Sequence, residues 1–152
     1  MLKDQNGFKF LDKGEGEPLI LLHGLIGELS NWDTVVDYFS KEYRVIIPSL
    51  PIYSIPVRKL GLETLTDFLE SFVDFLALDH INLMGNSLGG HIGLIYALRQ
   101  KEKVKRLHGT LSEYLKVSKC SMSGRHYSLS YNFYRFSSFF HLFSYRFSAL
   151  QF

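Results

Sequence analysis

The chain has 152 residues, a formal net charge of +2, 46% apolar residues and one cysteine. That length suits one domain with a sizeable core. The lone Cys120 excludes a disulfide scaffold, and the modest Gly and Pro content excludes collagen-like or globally disordered chains. Apolar runs such as Leu19 to Leu22 fall far short of the roughly 18 residues of a spanning helix. Met1 to Phe10 is charged and polar, with no apolar core of a secretory signal, so a cytoplasmic protein is the expectation.

In chain order, Phe8 to Lys13 alternates as a half-buried strand, and Gly14 to Pro18 reads as a turn. Leu19 to Leu22 is a continuous apolar run, as expected of a strand covered on both faces, and it ends at His23-Gly24. Ser30 with Asp33 resembles a short-armed capping box, followed by Trp32, Val35, Val36, Phe39 and Tyr43 at helical spacing. Arg44 to Ile47 is a second buried strand closed by Pro48 and Pro51, and an irregular connection runs to Gly61. Thr64 with Asp67 repeats the cap pattern before a stripe of Leu65, Phe68, Leu69, Phe72, Val73 and Leu76. His80 to Met84 is a third strand, Gly85 to Gly90 a sharp turn, Ile92 to Arg99 a buried helix, and Val104 to Leu107 the start of another strand. Strands alternating with helices predict an α/β fold, a mostly parallel sheet with helices on both faces. Ligands in such sheets bind at the carboxyl ends of the strands.

Two of those ends carry chemistry. Gly85-Asn86-Ser87-Leu88-Gly89, followed by Gly90, lies between a predicted strand and a predicted helix, the context of a nucleophile elbow. A serine at so tight an apex has strained backbone angles and projects its hydroxyl over the sheet edge. The small residues on either side let strand and helix approach. The Leu88 N–H, at a helix N-terminus, faces a developing oxyanion. In His23-Gly24-Leu25-Ile26-Gly27, Gly24 permits a turn that aims the next N–H at the same place. Leu25 is the first choice for that second donor and Ile26 the next. His23 precedes the serine, which favours a loop-shaping hydrogen bond over a role as base.

Together these segments resemble the α/β-hydrolase superfamily over about Phe8 to Leu107. The resemblance implies Ser87 as nucleophile, with Leu25 and Leu88 supplying the oxyanion hole. It implies acyl transfer on a small ester-like substrate, or cleavage of a carbon–carbon bond, with no metal or organic cofactor. Ser49-Leu50-Pro51-Ile52 stands where many relatives carry an aspartate and then Pro-Gly, which blurs the subfamily. Serine at position 87, rather than aspartate, argues against the dehalogenase and epoxide-hydrolase branches.

The family places its acid and then its histidine after the serine. Here the later acids are Glu102, in a charged helix end, and Glu113. His91 follows the elbow on its helix, and His108, His126 and His141 have no recognisable context. Single-domain chains of this class often reach roughly 200–250 residues. The sequence therefore reads as the front of a hydrolase domain, residues 1–107, with little activity of its own and an open sheet edge inviting self-association.

The composition changes along the chain. All 15 acids lie before Tyr114, whereas 114–152 hold no acid, no proline, five basic residues and 12 of the 23 aromatics. Residues 108–152 thus form a basic, aromatic, Ser-rich tail. One reading is a non-native extension from a shifted reading frame. The other is a non-enzymatic binding segment that uses Arg125, Arg135 and Arg146 on nucleic acid or a membrane surface. The first is preferred, so no nucleic-acid partner is expected.

Overall fold

A computed structural model describes residues 2–27, 29–111, 121–122 and 125–131. Eight strands form one sheet: β1 (Leu2–Gln5), β2 (Phe8–Lys13), β3 (Glu17–Leu22), β4 (Tyr43–Pro48), β5 (Ile81–Asn86), β6 (Val104–Leu111), β7 (Ser121–Met122) and β8 (Arg125–Tyr131). Their spatial order is β1-β2-β4-β3-β5-β6-β8-β7. From β4 through β8 every neighbouring pair is parallel, while β1, β2 and β7 pair antiparallel. Three α-helices accompany the sheet: α1 (Asp33–Phe39), α2 (Leu62–Phe75) and α3 (Leu88–Arg99). The sheet is mostly parallel and has helices on both faces, as the alternation of elements predicts.

The apolar runs show why. In β3, Leu19 and Leu21 point to one face, where they meet Trp32, Val35, Val36 and Phe39 of the α1 region. Ile20 and Leu22 point to the other, against Leu65, Leu69 and Phe72 of α2 and Ile92 and Tyr96 of α3. Val45 and Ile47 of β4 join the first cluster, and Ile46 the second. A strand with two buried faces needs a continuous apolar run, which is what these segments supply.

The N-terminal hairpin goes beyond the sequence reading. Asn6 and Gly7 both have positive φ, as a two-residue primed turn requires, and they set β1 against β2 with Gln5 opposite Phe8. Phe8 and Phe10 pack among Phe72 and Phe75 of α2 with centroids 5.2–6.4 Å apart. Asp12 on β2 pairs with Arg44 on β4 at 2.9 Å and with Lys3 on β1 at 2.6 Å. Burial alone would raise the Asp12 carboxyl, but the two cations outweigh it and hold the group below its ordinary value.

Several boundaries differ from expectation. The segment before α1 is a 3-10 turn, Leu29–Trp32, so Ser30 lies inside that turn and the N-cap is Trp32, with no side-chain cap bond. Helix α2 starts earlier than Thr64, with Gly61 as N-cap; Thr64 donates its hydroxyl back to the Lys59 carbonyl at 2.8 Å instead. Asp67 faces α3, where Arg99 binds it at 2.8 Å together with Glu63 and Glu70. Strand β3 begins at Glu17, inside the expected turn, and Pro48 is the last residue of β4 rather than its stop. Strand β6 continues to Leu111 and is joined by β8, so the sheet runs on past residue 107. Glu113, Cys120, Arg135, His141 and Arg146 lie outside the described residues.

Candidate active site

Strand β5 runs through Asn86 and α3 begins at Leu88. The whole strand-to-helix reversal is therefore one residue, Ser87, narrower than the Gly85 to Gly90 turn expected. Ser87 has φ 54° and ψ −113°, outside the regions an L-residue ordinarily occupies. Among the described residues it is one of three non-glycines with positive φ.

The three elbow glycines each make room for a different neighbour. A Cβ at Gly85 would strike the Gly89 carbonyl and the Gly90 nitrogen, where the helix folds back over the strand. At Gly89 it would overlap the Leu22 carbonyl of β3, and at Gly90 the Thr110 carbonyl of β6. Helix α3 thus enters the sheet over β3 and β6 at once, which fixes the height of Ser87 above the strand ends.

The loop after β3 comes to the same place. A Cβ on Gly24 would sit 3.6 Å from the Ser87 Cβ and 3.5 Å from the Asn86 carbonyl. A turn bonded from the Gly27 N–H to the Gly24 carbonyl, at 3.1 Å, carries Leu25 and Ile26. Both side chains are exposed, and Tyr53 donates its hydroxyl to the Leu25 carbonyl at 3.0 Å. Ser87, Leu88, Gly24 and the Leu25 turn are thereby gathered at the carboxyl ends of β3 and β5.

His23 is buried and fully committed. Its Nε2 accepts the Leu50 N–H at 3.1 Å, so its Nδ1 carries the proton and donates to the Gly24 carbonyl at 2.9 Å. One ring ties the loop after β3 to the loop after β4, the loop-shaping role that its place before the serine suggests. His91 is also buried. Its Nδ1–H donates to the Ser87 carbonyl at 2.9 Å, and its backbone N–H to the same oxygen at 3.2 Å. That contact is with the Ser87 main chain and not with its hydroxyl. Glu102 stands in the exposed turn after α3.

Two polar side chains at the elbow were not singled out from the sequence. Thr110, near the end of β6, accepts the Ser87 N–H at 3.3 Å and donates to the Asn86 side-chain oxygen at 2.9 Å. Only the β5–β6 register, which sets Asn86 opposite Thr110, brings these residues together. Among the described residues no cluster of His, Cys, Asp and Glu could hold a metal ion, and no helix is long and apolar enough to cross a membrane.

The sequence profile of the α/β hydrolase fold matches residues 17–139. The chain belongs to the α/β-hydrolase family. This α/β hydrolase is 35% identical over 103 residues to 2-hydroxy-6-oxo-2,4-heptadienoate hydrolase of Pseudomonas putida, a match covering 63% of this chain and 37% of that protein. It is 32% identical over 103 residues to 2-hydroxymuconate semialdehyde hydrolase of a Pseudomonas species, covering 63% and 36%. Among solved structures it is similar to an α/β hydrolase enzyme from the sediment metagenome of the Mar Chica lagoon, Morocco. That match has 45% identity and a TM-score of 0.71, over 76% of this chain and 54% of the other. The chain thus spans little more than a third of these curated relatives.

Proposed function

We propose that the chain carries the nucleophile and oxyanion half of a serine hydrolase acting on a small ester-like or carbon–carbon bond. The observation that carries this reading is the backbone of Ser87, held at φ 54° at a one-residue strand-to-helix reversal with the Gly24 loop beside it. Such strain persists only where the surroundings over-determine it, and it gathers at functional sites. Ser87 Oγ attacks the scissile carbon while the N–H groups of Leu88 and Leu25 receive the oxyanion. Leu88 is the first residue of α3, where backbone N–H groups have no partner in their own helix. Each such donor stabilises a transition state by roughly 3 kcal/mol. Gly24, Gly85, Gly89 and Gly90 supply the close approach of backbones, and the scheme uses no metal or cofactor. The similarity to two Pseudomonas hydrolases of small oxo-compounds supports a small-molecule substrate.

Attack also requires a base for the hydroxyl proton. His23 and His91 are both engaged with backbone groups, so neither serves as that base. With neither of them as base, the activity proposed for this chain by itself is low, the residual kind that a site without its base retains. A fluorophosphonate probe tests both statements. Slow labelling on Ser87 that disappears in Ser87→Ala is expected. Rapid stoichiometric labelling refutes the missing base, and labelling that survives Ser87→Ala refutes the nucleophile.

A further inference from the structure

Ser87 is held at its backbone from two sides, and the holding groups differ in kind. On the carbonyl side, His91 uses both its main-chain N–H and its ring. On the amide side stands a single hydroxyl, that of Thr110, on another strand. We propose that Thr110 is a positioning residue for the nucleophile, fixing the 86–87 peptide so that Ser87 stays at the apex of the reversal.

The chemistry of a threonine hydroxyl suits this task. It has one proton to give and lone pairs to receive. The proton goes to the Asn86 side-chain oxygen, and a lone pair receives the Ser87 N–H. Both bonds lie on the residue pair astride the strained peptide. Thr110 is 7% exposed, so water does not readily replace it. Its own backbone is fixed as well: it pairs in register with Asn86, and its carbonyl is the group against which Gly90 packs. The hydroxyl is therefore presented from a rigid point, with α3 pressing on the main chain beneath it. Loss of the hydroxyl leaves the Ser87 N–H and the Asn86 oxygen without these bonds, next to a φ of 54° that is intrinsically disfavoured. The peptide then relaxes and the serine leaves its attacking position. The Asn86 amide also reaches the Gly24 side, its nitrogen 3.9 Å from where a Gly24 Cβ would be, so the bond from Thr110 orients a side chain lying between the two loops of the site.

The inference rests on the nucleophile reading above, and the test separates the two. Thr110→Val keeps the branched shape suited to a strand and removes the hydroxyl, whereas Thr110→Ser keeps the hydroxyl. Fluorophosphonate labelling of Ser87 is measured well below the melting temperature of every variant, and exchange of the Ser87 amide proton is followed by nitrogen-15 NMR. Thr110→Val is expected to slow labelling about tenfold, the scale of a small misplacement of a reacting group. It also speeds Ser87 amide exchange, and Thr110→Ser restores both. A purely structural role predicts a lower melting temperature with labelling of the folded protein unchanged, and that result overturns the inference. So does a failure of Thr110→Ser to rescue. No labelling of the unsubstituted chain overturns the nucleophile reading, and the inference with it.

Discussion

Adding one methyl group at Gly89 sets two ordinary effects against each other. An alanine in a helix is favoured over glycine by about 0.5–1 kcal/mol, so propensity alone predicts that Gly89→Ala stabilises α3. Packing predicts the reverse. The new Cβ would overlap the Leu22 carbonyl and stand 2.8 Å from the Leu22 Cβ, and the carbonyl belongs to the central strand, which cannot turn aside. Relief requires α3 to rise off β3, at an overpacking cost of about 1–3 kcal/mol. At roughly 2–4 °C per kcal/mol for a chain of this size, the melting temperature falls by about 2–12 °C. Gly93, on the same helix, is the control. A Cβ there would meet only side-chain methyls, Leu107 Cδ1 at 3.2 Å and Leu22 Cδ1 at 3.6 Å, and these can rotate. Gly93→Ala is expected within about 0.5 kcal/mol of the unsubstituted chain, the propensity gain offsetting the crowding. Urea denaturation of both variants decides the matter. Gly89→Ala as stable as the unsubstituted chain, or Gly93→Ala losing as much as Gly89→Ala, would refute the account of the elbow glycines.

Ser87→Gly removes the disfavoured backbone and is expected to be more stable than Ser87→Ala by about 1 kcal/mol, read from paired denaturation curves. His23→Ala deprives the Leu50 N–H and the Gly24 carbonyl of the ring that joins them, and a loss of about 1–3 kcal/mol in denaturation is expected. Asp12 sets a pH dependence. Its folded-state value is depressed, so its contribution is complete above the ordinary value of 3.8 and is lost as pH falls below that towards the depressed one. Asp12→Asn should flatten the acid limb of a melting-temperature profile over that window; an unchanged limb would show that the two cations do little for the folded state.

The sequence pattern marks the central sheet because parallel strands covered on both faces must be continuously apolar, and Leu19 to Leu22 and Val45 to Ile47 are. The elbow is legible because small residues around a serine within six consecutive positions mark the strand-to-helix reversal itself, although the neighbours that Gly89 and Gly90 admit, Leu22 and Thr110, are distant in the chain. The misplaced helix starts have the opposite character. Ser30 and Thr64 have the chemistry of caps, yet the chain enters α1 through a 3-10 turn ending at the buried Trp32 and enters α2 through the extended Gly61. The hairpin did leave a local trace in Asn6-Gly7, but its charged first strand conceals the alternation. Thr110 leaves none, because its role depends on pairing with Asn86 across a long stretch of chain.

The strand order also bears on the time course of synthesis. The most apolar strand, β3, is made early, but its two neighbours are β4 and β5, which both come later in the chain. A growing polypeptide can offer β3 one partner once Pro48 has emerged. The other edge stays bare until Asn86 is out, while α2 is still being made. During that interval the backbone of Leu19 to Leu22 can pair with any extended chain nearby. The arrangement that later places the two loops of the site side by side thus leaves the middle of the sheet open until β5 is made, and makes it the first part to need protection.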